Sequence, residues 1–241
     1  MRLLFIRHAE PDYTIDSLTE KGFREASLLR DRLVKLNIRY FYCSPLDRAR
    51  DTAKPTLEAY GKSAEICDFL REFNGHAVNP ETGEERGPWD LLPAFVAKDD
   101  RYFDKTAWLG TPYFGSGTVK EKYDGVCRGI DDILARHGYI HDGAFFRVEK
   151  ENTDTLAFFC HFAVECVILS HLLHMSPVPL WQGFVALPSS VTTLNTEERE
   201  QGIASLRCSG FGDLSHLYAA DEPASFAARF CEVYSNFDER H

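Results

Sequence analysis

Four apolar residues, Leu3-Leu4-Phe5-Ile6, run without a turn residue into Arg7, His8 and Glu10, and this stretch constrains the fold more than any other. A short apolar run free of Gly and Pro reads as a buried strand. In open α/β sheets the crevice beyond the carboxyl ends of the strands is where ligands bind. The strand would therefore deliver a guanidinium and an imidazole together to such a crevice. That pair suits an anion. Arg forks onto phosphate or carboxylate oxygens, and a neutral imidazole can act as base or nucleophile.

The chain beyond alternates in a way that supports this reading. After a polar loop over 11–18, Ser17 or Thr19 can cap a helix, and Ser17 with Glu20 matches a capping box. Phe23, Ala26, Leu29, Leu33 and Leu36 recur at helical spacing up to Asn37, and Ile38–Cys43 reads as a second strand. Strand, helix, strand points to a parallel α/β unit. Ser44-Pro45 then reads as N-cap and first helical residue, which places Arg48 in the first turn of a helix starting at a strand end. Pro55 is expected to kink or end that helix and Gly61 to close it, with Ala64–Phe69 as a third strand.

These pieces resemble the signatures of the histidine phosphatase superfamily, which includes the cofactor-dependent phosphoglycerate mutases and the acid phosphatases. Arg7-His8-Ala9-Glu10 is similar to its first motif, and Ser44-Pro45-Leu46-Asp47-Arg48-Ala49 with Thr52-Ala53 to its second. Leu70-Arg71-Glu72 is similar to the segment that carries its acid/base carboxylate. A later strand, Thr155–Cys160, ends in His161 at the place of the second family histidine. The resemblance implies a phosphoglycerate mutase-like α/β fold: a three-layer α/β/α domain over 1–241, with a mostly parallel central sheet and a lid insertion near 73–123. It implies His8 as the nucleophile, Arg7, Arg48 and His161 as phosphate-binding groups, His161 also as a catalytic group, and Glu72 as proton donor and acceptor. The substrate would be a small-molecule phosphoester, and neither metal nor cofactor is called for. The sequence lacks the mutase-like continuations: Pro11-Asp12-Tyr13-Thr14 follows the first motif and Phe73-Asn74-Gly75 follows Glu72. A phosphomonoesterase of the histidine acid phosphatase type is therefore expected. A mutase and a catalytically inactive phosphate-binding regulatory domain are the alternatives.

Segment 73–123 is irregular and rich in aromatics, and its Arg86 and Arg101 read as solvated charges before substrate contacts. Val119 to His137 follows helical spacing, and Phe145–Val148 reads as a strand. Ala163–His174 reads as a helix, with His171 and His174 as core-edge residues, since no third ligand at matching spacing accompanies them. Gly115-Ser116-Gly117 is no phosphate cradle, because no Walker lysine follows. Strands are expected at Gly183–Leu187, Ser190–Thr196 and Ile203–Cys208, then a final helix carrying Phe226, Phe230 and Val233. Gly212 to Leu217 resembles a late family segment that is structural or peripheral, so His216 is not expected among the catalytic residues.

Composition sets limits. A formal charge of −10 argues against nucleic acid and anionic membranes as partners. The N-terminal apolar run is too short for a signal peptide, and no stretch has the length of a membrane span. Seven scattered Cys without a CxxC spacing suit reduced thiols in a cytoplasmic protein.

Overall fold

The computed structural model describes residues 1–80, 82–115, 117–227 and 229–240. Of the Gly115-Ser116-Gly117 stretch, Ser116 lies outside the described residues. The α/β fold is built on one mixed sheet. Strands β1 (Arg2–Arg7), β2 (Ile38–Cys43), β3 (Glu65–Ile66), β4 (Tyr139–Asp142), β5 (Phe145–Val148), β6 (Thr155–Cys160), β7 (Val191–Glu200) and β8 (Ile203–Asp213) stand in the order β3-β2-β6-β1-β7-β8-β5-β4. The pairings β1–β6, β6–β2 and β2–β3 are parallel, and the rest form an antiparallel edge. The main helices are α1 (Glu20–Leu33), α2 (Asp47–Tyr60), α3 (Val119–Arg136) and α4 (Phe162–Leu172).

Two apolar clusters show why the central strands read as continuous runs. Leu3 and Phe5 of β1 face one cluster with Phe158 and α3, while Leu4 and Ile6 face the other with Leu29, Leu33 and Ala53. A strand buried on both faces has no polar alternation.

Local signals failed where tertiary contacts won. Thr19, not Ser17, caps α1, accepting from the Gly22 amide at 3.0 Å, while the Ser17 hydroxyl donates to Asp51 at 2.5 Å. Helix α1 ends at Leu33, and Phe23 is 48% exposed rather than in the core. Pro55 lies inside α2, which runs on to Tyr60 before Gly61 stops it at φ +61°. The strand expected over Ala64–Phe69 shrinks to Glu65–Ile66, because Asp68–Leu70 tightens into a 3₁₀ turn. Gly183–Leu187 is not a strand: a helix over Val178–Gly183 is followed by unpaired backbone that serves the site below. The described residues after Tyr218 hold no helix. Phe230 and Val233, 72% and 45% exposed, find no surface to pack on, and a short helix without such packing is marginal.

Segment 73–123 packs its aromatics into the same core as Phe5 and Phe158 rather than on itself. Tyr102, Trp108, Tyr113 and Phe114 are buried, and Trp108 and Phe114 meet Trp181 edge-on or tilted at 6.0 and 6.2 Å. Arg86 pairs with Glu84 and Asp90, and Arg101 with Asp99, so both are held in local ion pairs. Among the described residues no helix is long and apolar enough to cross a membrane.

Candidate active site

Three adjacent parallel strands end at one edge of the sheet, and their ends set the site. Arg7 of β1 stands in register with Cys160 of β6, and Phe159 with Cys43 of β2. The next residue of each chain is His8, His161 and Ser44. Backbone bonds fix this row, with the His8 amide donating to the Cys160 carbonyl at 3.0 Å and the Ser44 amide to Phe159 at 2.9 Å. The two imidazoles lie 5.1 Å apart between ring centres.

His8 is buried, and its Nδ1 lies 2.8 Å from the Ala9 carbonyl oxygen. A carbonyl only accepts, so Nδ1 carries the proton and Nε2 holds the lone pair. Burial, then the Arg7 charge, pushes the His8 pKa down to about 3. The ring is therefore neutral across the physiological range. His161 is held well below its ordinary value by burial, His8 and Arg48. Its Nε2 meets the Ser44 hydroxyl at 2.8 Å. Ser44 thus serves the crevice rather than capping α2, whose N-cap is Leu46.

The cations converge on the same place. Arg7 is buried and donates from Nη1 to the Ala186 carbonyl at 2.6 Å. Arg48, in the first turn of α2, forms a very short ion pair with Asp16, which also accepts from the Asp47 amide at 3.1 Å. Asp16 thus sits where a helix N-terminus and a guanidinium would both attract an anion. Arg7 Nε, Arg48 Nε and His161 Nδ1 are buried without a hydrogen-bond partner among the described residues. Three orphaned buried groups at one crevice fit an oxyanion ligand.

Glu72 completes the set. Its Oε1 accepts from the amides of Phe73, Ala163 and Val164 at 2.8, 3.1 and 3.2 Å, which ties it to the N-terminus of α4. Burial raises its pKa against these bonds and against Arg7 and Arg48. All five residues singled out in the sequence are thus brought together. A cleft of about 410 Å³ opens beside them, lined by Arg71, Glu72, Asn74, His76 and Trp89. A larger cleft of about 580 Å³ runs along α2 past Arg50 and Lys54 and holds none of the five.

Sequence reasoning missed four neighbours. Tyr13 lies under Arg48, its ring 5.6 Å from the guanidinium carbon, and is coupled to Arg7. Asp16 and Ser44 are described above. Glu165, in the first turn of α4, is fully buried near Arg7 and Glu72, and burial raises its pKa to about 8. A Glu within an apolar helix was the one available signal. His216 lies against the Ser189 hydroxyl at 3.1 Å, and the Ser189 amide donates to the His8 carbonyl at 3.1 Å, so His216 stands one residue behind the set.

Over 80 residues the chain is 39% identical to the 2,3-bisphosphoglycerate-dependent phosphoglycerate mutase of Thermoplasma acidophilum, a match spanning 29% of this chain and 40% of the mutase. The fold is that of phosphoserine phosphatase from Entamoeba histolytica, solved with phosphoserine, at TM-score 0.59 and 20% identity over 90% of this chain and 98% of that one. It is also that of a mycobacterial glucosyl-3-phosphoglycerate phosphatase, at TM-score 0.60 and 18% identity over 88% and 98%. Residues 3–104, which carry β1, the second motif and Glu72, match the family described as Histidine phosphatase superfamily (branch 1). That family match covers the segment holding Arg7, His8, Arg48 and Glu72, and the likeness of fold extends over about nine-tenths of the chain.

Proposed function

We propose that the protein is a phosphomonoesterase that works through a phosphohistidine at His8 on a small phosphorylated metabolite. The observation that carries this reading is the His8 tautomer. With Nδ1–H held by the Ala9 carbonyl, the lone pair of Nε2 is free to attack phosphorus. An N–P bond forms as the ester P–O bond breaks, and the leaving oxygen takes the Glu72 proton. Water then gives a proton back to Glu72 and attacks phosphorus. The N–P bond breaks, and its electrons return to Nε2. Arg7, Arg48 and His161 hold the equatorial oxygens, where charge is carried through both steps. The raised pKa of Glu72 keeps a proton available for the first step. In the adjoining cleft, Arg71 and His76 would meet the remainder of the substrate.

The test is hydrolysis of p-nitrophenyl phosphate from pH 4 to 8 with EDTA present. Metal-independent turnover is expected, and His8→Ala should lower it roughly 10⁴-fold or more. Turnover that survives the substitution would remove His8 as nucleophile.

The mutase match over 80 residues favours one second reading, interconversion of phosphoglycerates. A bisphosphoglycerate-dependent isomerase assay on the same sample separates the two. An inactive phosphate-binding domain would bind orthophosphate and fail both assays.

A further inference from the structure

A second convergence of titratable side chains lies at the opposite end of α4. His171 is in its last turn. Asp131 comes from α3 and His141 from the edge strand β4, and both elements pack on α3 or α4. His141 Nδ1 and His171 Nε2 are 3.0 Å apart, and both face the Asp131 carboxylate at 2.8–2.9 Å. All three side chains are partly buried. The His141 ring is backed by Phe146, stacked at 4.5 Å with an interplanar angle of 17°, which fixes the direction of its nitrogen.

Protons alone do not satisfy this triangle. If both facing nitrogens of the neutral rings carry hydrogen, each can donate to the carboxylate, but two N–H groups then oppose each other across 3.0 Å. If only one carries hydrogen, the lone pair of the other faces the carboxylate oxygens at under 3 Å. One edge is repulsive either way. A cation at the centre turns all three lone pairs inward. With Zn–N bonds of about 2.0–2.1 Å, the edge of a tetrahedral site is roughly 3.3 Å, within a small ring rotation of the observed separation. Lys105 does not neutralise Asp131 by contact, since its ammonium is directed at the Ser170 carbonyl and the Tyr123 hydroxyl, each at 3.4 Å.

We propose that Asp131, His141 and His171 form a binding site for a divalent transition-metal ion, with zinc as the metal suited to two imidazoles and one carboxylate. The partly exposed Asp131 side leaves a position for water. The site stands about 15 Å from the start of α4 by helical rise, so the ion would take no part in chemistry at His8. Its effect would be to clip the edge strand to the two helices.

The test uses chelator-stripped full-length protein and no measurement of turnover. Titration with zinc is expected to show one equivalent bound, and cobalt to give ligand-field absorption. Crystals soaked in zinc should give an anomalous peak between the three side chains. Asp131→Asn and His171→Gln should each abolish uptake with the far-ultraviolet dichroism unchanged, whereas His8→Ala should bind zinc as wild type does. No uptake by wild type, a peak elsewhere, or uptake unchanged in both variants overturns the site. If the variants fail to fold, the anomalous map of the wild type decides alone.

Discussion

Helix α4 has a histidine cluster at each end, and the two clusters have opposite surroundings. At its start, His161 and His8 are fully buried among Arg7 and Arg48, and burial with those charges keeps both rings neutral. At its end, His141 and His171 are only partly buried and share a carboxylate. The same side chain is thus prepared for two kinds of chemistry. Desolvation beside cations yields neutral imidazoles next to a cationic pocket. A shared carboxylate with converging lone pairs yields a cation site.

Three substitutions test this contrast. The largest effect is expected from Glu72→Gln, which keeps the hydrogen bonds at the helix start but removes the transferable proton. Hydrolysis of an alkyl phosphate should fall about 10²–10⁴-fold. In the wild type the rate should decline as pH rises through the elevated Glu72 pKa, and in the variant that descending limb should vanish from the pH–rate profile. A limb that persists would assign the proton to another group, with Glu165 the first to examine.

Glu165→Gln comes next, read as stability. The folded pKa of about 8 exceeds the ordinary 4.5, so the fold retains a proton that the unfolded chain gives up. This contribution is complete below pH 4.5 and is lost as pH rises through 8. Gln cannot ionise, so urea denaturation should show the variant gaining on wild type between pH 5 and pH 8 by about 3 kcal/mol. Equal gains at both pH values would mean that Glu165 is not held protonated. The smallest effect belongs to the other end of the helix. His171→Gln should leave kcat/KM for p-nitrophenyl phosphate within about twofold, and a drop beyond tenfold would show that the two clusters are not independent.

The sequence revealed what is local. Strands Ile38–Cys43, Phe145–Val148 and Thr155–Cys160 are found at the bounds their apolar runs suggest, and α3 begins and ends within a residue of its periodic stretch. The five site residues were legible because each follows a strand or opens a helix within a recognisable motif. Ser44 was misread because Ser-Pro is a strong capping pattern, while its hydroxyl is engaged by His161 from 117 residues away. The Asp131–His141–His171 cluster was not legible at all. Its members lie on a helix, an edge strand and a second helix, and no spacing rule joins them. Glu165 was hidden for a related reason: what lies over a helix position is decided by other parts of the chain. The described residues after Tyr218 show the converse failure, since an apolar helical pattern without a packing surface does not make a helix.

The place of β1 in the sheet also has a temporal meaning. This first strand bears Arg7 and His8, yet it lies between β6, whose residues begin at Thr155, and β7, which begins at Val191. Its neighbours on both sides therefore leave the ribosome long after it does. Until then β1 has open hydrogen-bonding edges and apolar side chains on both faces, the combination that makes a nascent segment prone to aberrant pairing. The strand that bears His8 is made long before its partners, so a chain cut short before β6 would carry His8 without its scaffold.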